Sequence, residues 1–157
     1  MSDRQKLPDT TIVAFATVGY FALLVAGLGV ASLVADEYVI STPGIGIFPA
    51  YAAAGAAIVS FALLLAGALR PEKPSFLAVV GIALASAAIH AIVLAGLTLL
   101  TTGSVGTVGT VLFEVLLGWV APVFAGAAAV ASWAAIALRR TEAGKPKWPW
   151  ERRPDGS

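Results

Sequence analysis

Apolar residues run almost unbroken from Thr11 to Val34, Ala50 to Leu69, Phe76 to Leu100 and Val111 to Leu138, with polar and helix-breaking residues gathered between them. Each run reaches the ~20 residues that a helix needs to cross ~30 Å of hydrocarbon. In lipid a backbone N–H or C=O must find its partner within the protein, so runs of this length are expected as helices rather than isolated strands. The pattern predicts an all-α membrane protein: a four-transmembrane-helix bundle of two antiparallel hairpins, with a short tail at 1–10, a membrane domain at 11–138 and a second tail at 139–157. Pro8, Asp9 and Thr10 form a helix start. The first run is too long for a secretory signal, whose apolar stretch is about 7 to 15 residues, and is expected to stay as an anchor.

The connections differ in character. Two prolines and two glycines between Pro43 and Pro49 are expected to break any helix there, with Tyr38, Phe48 and Tyr51 as aromatic anchors at the membrane surface. Arg70-Pro71-Glu72-Lys73-Pro74-Ser75 is a tight turn that forces runs two and three into a hairpin. Thr101 to Thr110 contains only Thr, Gly, Ser and Val, which predicts an extended connection.

Charge orients this frame. The ten Lys and Arg residues lie before run one (Arg4, Lys6), between runs two and three (Arg70, Lys73) and after run four (Arg139, Arg140, Lys145, Lys147, Arg152, Arg153). The other two connections carry none. Basic segments are retained on the cytoplasmic side during insertion, so both termini and the short middle loop are expected in the cytoplasm.

Composition removes several kinds of chemistry. Without cysteine there is no disulfide, thiolate nucleophile or thiolate metal ligand, and one histidine is too few for a histidine-rich metal site. No phosphate loop, HExxH or GxSxG motif occurs, and Ser60, Ser86 and Ser132 lack a base at matching depth. The expectation is a non-enzymatic protein without cofactor or metal.

Two ionisable residues fall inside the runs, His90 in the third and Glu114 in the fourth. Such groups are costly in hydrocarbon and are candidates for function. On helical spacing His90 shares a face with Ala83, Ser86 and Ala87, and Glu114 shares one with Gly118, Ala121, Pro122, Ala125 and Gly126, both expected to look inward. Counting ~1.5 Å per residue from the basic side puts His90 at ~21 Å and Glu114 at ~36 Å, too far apart for direct proton exchange. The plain alternatives are an imidazole bonded to Ser86 or a neighbouring helix, and an interfacial carboxylate beside Thr107 and Thr110 near a helix N-terminus.

Small residues recur at four-residue spacing, notably Gly27 with Ala31 and Gly118 with Pro122 and Gly126. Such rows let helices approach closely, either within the bundle or against a second copy or another membrane protein. The final tail interleaves basic residues with tryptophan: Arg139, Arg140, Lys147, Trp148, Trp150, Arg152 and Arg153 are candidates for contact with headgroups or a partner. It is too short and too weakly charged for nucleic acid binding.

The chain resembles the small four-helix membrane proteins of unknown function common in GC-rich actinobacteria, in its Ala/Val/Gly-rich spans and its tail from Trp148 to Arg152. The resemblance implies a plasma-membrane location and no activity. Small multidrug transporters also have four spans, but their mid-span carboxylate in the first helix has no counterpart here. The expected role is an accessory or structural membrane subunit acting through helix packing in the lipid bilayer. A small proton- or ion-coupled transporter or oligomeric pore using Glu114, with His90 as a second candidate, is the alternative.

Overall fold

A computed structural model describes residues 8–36, 47–71 and 73–143, and within these every regular element is an α-helix. They are α1 (Asp9–Ala35), α2 (Ile47–Leu69), α3 (Leu77–Thr102), α4 (Val105–Leu117) and α5 (Val120–Ala143). Four stretches, Asp9–Ala35, Ile47–Leu69, Leu77–Thr102 and Val120–Thr141, are long and apolar enough to cross a membrane. At ~1.5 Å per residue α4 is only about 20 Å long and falls short of the hydrocarbon thickness.

The predicted fourth run, 111–138, is therefore not one helix. Pro122 has no N–H to give the Gly118 carbonyl, and its ring would occupy the space of that carbonyl in a continuous helix. The chain yields at Gly118, which turns extended (φ −84°, ψ −166°) while its N–H bonds to the Glu114 carbonyl at 3.0 Å and ends α4. Helix α5 then starts afresh, with the Val123 N–H reaching the Trp119 carbonyl at 3.2 Å. Pro122 so lies in the first turn of α5, where a missing donor costs little.

Residues 101–110 also differ from the expected extended connection. Gly103, in the left-handed region at φ +65°, closes α3 by donating its N–H to the Leu99 carbonyl at 2.8 Å. Ser104 opens α4 at once, its hydroxyl accepting the Thr107 N–H at 3.2 Å. A glycine stop followed by a serine cap outweighs the weak helix preference of the Thr, Gly and Val that follow. Removing that cap with Ser104→Ala is expected to cost about 1 kcal/mol, read as lost amide protection over Val105–Val108 with the rest of the bundle unchanged. Likewise α2 begins at Ile47, ahead of the predicted Ala50, because Pro49 sits in its first turn.

Each long helix gives the core a row at four-residue spacing. In α2 the row is Pro49, Ala53, Ala57, Phe61, Leu65 and Leu69, and in α3 it is Ile82, Ser86, His90, Leu94 and Thr98. In α5 it is Val120, Phe124, Ala128, Ser132 and Ile136. Alanines bring the backbones close, and Tyr20, Phe61, Phe124, Leu65, Leu94 and Ile136 fill the middle. The outer surface is apolar, with Phe15, Leu33, Leu63, Ile92 and Leu100 all exposed, as a lipid-facing surface requires.

Helix α2 packs most heavily on α3, and α5 lies against both α3 and α1. α1 and α5 approach closely at Gly27, where a Cβ would stand 2.9 Å from Val123 Cγ1. Gly27→Ile is expected to force α1 outward and cost about 1–3 kcal/mol, the range for overpacking. Gly29→Ile, with open space around it, is the control and is expected to change detergent stability little.

Two polar contacts join one end of the bundle. The Arg139 guanidinium lies 3.0 Å from the Asp9 carboxylate, and the Arg140 guanidinium sits 4.7 Å from the centre of the Phe76 ring. The start of α1, the residue before α3 and the end of α5 thus meet.

Candidate functional site

The interior carries a short polar column rather than a purely apolar core. Tyr20, Ser86 and Thr98 are fully buried and His90 is 4% exposed. The phenol of Tyr20 on α1 lies beside Ser86 on α3. The two oxygens are placed as partners of each other, though short of strict hydrogen-bond geometry, and His90 Nδ1 and Thr98 Oγ1 are buried without a partner. By contrast, Ser132 and Thr17 return their hydroxyls to carbonyls of their own helices, at 2.7 Å in each case.

Helix length explains who meets whom. Counted at ~1.5 Å per residue from the shared end, Tyr20 stands at about 16 Å and Ser86 at about 15 Å, and His90 at about 21 Å matches Phe124 at about 22 Å. Aromatic rings hold both polar side chains. Tyr20 stacks on Phe61 of α2, ring centres 4.4 Å apart and 26° from parallel. His90 stacks on Phe124 of α5, 3.9 Å apart and 22° from parallel. These stacks restrain the phenol and the imidazole by ring contact.

His90 thus faces inward as its spacing requires, together with Ala83, Ser86 and, half-buried, Ala87. No hydrogen bond joins His90 to Ser86, one of the plain alternatives, and the imidazole rests on Phe124 of a neighbouring helix. Glu114 is placed differently from the expectation. It sits on α4 rather than in a spanning helix, and in the last turn of that helix rather than near an N-terminus. It is half-buried and makes an interaction within the protein. The split at Gly118 also breaks the shared face assigned to it: Ala121 and Ala125 are half-buried, but Pro122 and Gly126 face outward.

Of the packing candidates, Gly27 meets Val123 and Ala31 is half-buried, while Gly118 serves the α4–α5 break rather than a helix contact. Arg139 and Arg140 engage Asp9 and Phe76. Lys147, Trp148, Trp150, Arg152 and Arg153, like the anchor Tyr38, lie outside the described residues. Phe48 and Tyr51 are exposed at the start of α2. Among the described residues no three His, Cys, Asp or Glu side chains are grouped to hold a metal ion.

Sequence reasoning passed over Tyr20 and Thr98. The signal for Thr98 was available, since Ser86, His90, Leu94, Thr98 and Thr102 form one row at four-residue spacing. Tyr20 became a member only through the fold, because its neighbour lies on another helix.

A second feature is external. Between α1 and α5 runs an apolar groove of about 360 Å³, floored by Ala16, Gly19, Ala131 and Ala135 and rimmed by Phe15 and Leu138. Its small residues remove side-chain bulk between the two helices, leaving the groove open to the apolar outer surface.

No curated protein and no solved structure matches the chain. A family model matches it over residues 1–157, from end to end, and the four apolar helices around a core with a short polar column are therefore features of a member of DUF6121, a family of unknown function, to which this chain belongs.

Proposed function

We propose that this protein is a non-enzymatic multi-pass protein of the bacterial plasma membrane that serves as an accessory or structural subunit, packing its helices against an apolar transmembrane helix of a partner. The α1–α5 groove carries this reading. It is apolar, lies on the lipid-facing side and has a floor of alanine and glycine, the residues that let a further helix approach closely. The bundle centre, filled by Tyr20, Phe61, Phe124 and Leu94, offers no such room.

The membrane topology belongs to the same proposal: two antiparallel hairpins, both termini cytoplasmic. The clustering of basic residues in alternate connections supports it, as do the Asp9–Arg139 and Phe76–Arg140 contacts at one end. The resemblance to actinobacterial proteins supports the plasma membrane as the location.

A photo-crosslinking residue at Gly19 or Ala134 in native membranes tests the groove. The expected result is an adduct to one membrane protein, or to a second copy of the chain, from both positions and not from exposed Ile92 on α3. Adducts to lipid alone, with a monomer on mild extraction, would defeat the reading.

The unpartnered polar atoms in the interior favour a second reading, a small proton- or ion-coupled transporter or oligomeric pore. Its acidic candidate is Glu114 and its central one His90. Equal, negligible flux through vesicles holding wild type, Glu114→Gln or His90→Gln would end it.

A further inference from the structure

We propose that the α1–α5 groove and the Asp9–Arg139 pair at its end form a site for one membrane phospholipid, with an acyl chain in the groove and a primary-amine headgroup, that of phosphatidylethanolamine, on the ion pair. The inference goes beyond the docking of a partner helix and does not rest on it. The lipid fills the groove of the free chain, and a partner helix that covers the groove takes its place.

The shape of the groove selects a chain. Its lining on α1 runs from Thr11 to Leu23. That is ~18 Å of helix, little more than one leaflet of the ~30 Å of hydrocarbon. Contacts between the two helices bound the groove at both ends: beyond Leu23 the backbone of Gly27 lies against Val123, and before Thr11 the Asp9 carboxylate meets Arg139 at 3.0 Å. Apart from Thr11 every lining residue is apolar. Spread over that length, the volume of about 360 Å³ leaves a mean section of about 20 Å². A file of methylene groups, about 4 Å wide at van der Waals contact, lies within such a slot, whereas a helix, about 10 Å across, seats only side-chain tips in it.

Charge at the mouth selects the headgroup. Asp9 stands just before Thr11 and Arg139 directly after Leu138, so the ion pair lies where a lipid with its tail in the groove carries its phosphate. Arg139 meets Asp9 through Nε, and the terminal N–H groups of a guanidinium suit a phosphate oxygen. The Asp9 carboxylate is 46% exposed, and an ionised carboxylate has lone pairs enough to accept from an ammonium as well. A purely anionic headgroup would face the Asp9 charge, and a quaternary amine has no N–H to give it. The pair therefore matches a zwitterion with a primary amine, phosphate on Arg139 and ammonium on Asp9.

The test offers the purified wild-type chain, in mild detergent, equal amounts of phosphatidylethanolamine, phosphatidylcholine and phosphatidylglycerol with the same tails, and counts bound lipid by native mass spectrometry. The expected result is one tightly held lipid per chain, with phosphatidylethanolamine favoured about fivefold over each of the others, the upper end for an exposed ion pair. Asp9→Asn is expected to remove that preference. Gly19→Leu, whose side chain enters the groove from a position with open space at Cβ, is expected to lower retention about tenfold. Gly29→Leu, equally open but outside the groove, is expected to leave it unchanged. No retained lipid, or equal retention of the three lipids by the wild type, overturns the proposal. So does an unchanged preference in Asp9→Asn, or retention by Gly19→Leu at the level of Gly29→Leu. The wild-type measurements need no variant, so a substitution that fails to fold does not decide the matter. The chain is purified free of partners, so the outcome is separate from the crosslinking that tests helix docking.

Discussion

Phe61→Ala is expected to lower unfolding stability by about 3 kcal/mol, the lower edge of the range for emptying a buried aromatic site. Phe61 is fully buried at the middle of the α2 row and stacks on Tyr20. Truncation removes the stack, which in such pairs contributes about 0.5–1.5 kcal/mol beyond area burial, and leaves a void where helices meet. The value belongs at the lower edge because lipid tails are as apolar as the core. Transfer out of water is then not lost, and the deficit comes from missing dispersion contacts. Unfolding in mixed micelles measures it, with Leu63→Ala, 69% exposed on the same helix, as the control expected to stay within about 0.5 kcal/mol. A cost for Phe61→Ala no larger than that of the control would mean that the aromatic centre is not packed as described.

Gly118→Ala is the second large effect, expected at about 1–3 kcal/mol. A Cβ at Gly118 would run into the carbonyl oxygen of Glu114, which already accepts the Gly118 N–H. The obstruction is backbone, so no rotamer relieves it. At Gly27 the obstruction is the tip of Val123, which can turn aside. The break exists because Pro122 forbids a continuous helix, and this gives a sharper check. In a Pro122→Ala background the chain is free to run as helix through 118, where alanine is favoured over glycine, so Gly118→Ala should be much milder there. Additive costs in that double-mutant cycle would separate the break from Pro122 and refute the account.

Much of the frame was legible in the chain. Runs one to three anticipated α1, α2 and α3 to within a few residues, because an uninterrupted apolar stretch in lipid has few alternatives to a helix. The fourth run misled for a local reason: Val, Leu, Ala and Phe continue across Gly118 and Trp119, so hydropathy records no interruption where backbone geometry imposes one. Pro122 was visible, but whether a proline kinks a helix or restarts it depends on the residue four positions earlier, and here that residue is glycine. The loop at 101–110 misled in the opposite sense, because its composition outweighed the Gly103-Ser104 stop and start.

The site was legible only in part. His90 and Ser86 could be placed on one inward face from spacing alone. Tyr20 could not, since its relation to Ser86 depends on how far along each helix they lie from a common end, and that end is defined by contacts between residues far apart in sequence. Once Asp9 is set against Arg139 and Phe76 against Arg140, counting along the helices brings Tyr20 to Ser86 and Phe124 to His90.

That ion pair has a further consequence for the order in which the helices are strung. With Asp9 and Arg139 side by side, a brief linker joining them would close the polypeptide into a ring without stretching any helix. Reopening the ring at exposed Arg70 would give a circular permutant whose helices read α3, α4, α5, α1, α2. Every buried row would keep its neighbours, so the architecture is a property of the packed surfaces and not of which helix is synthesised first.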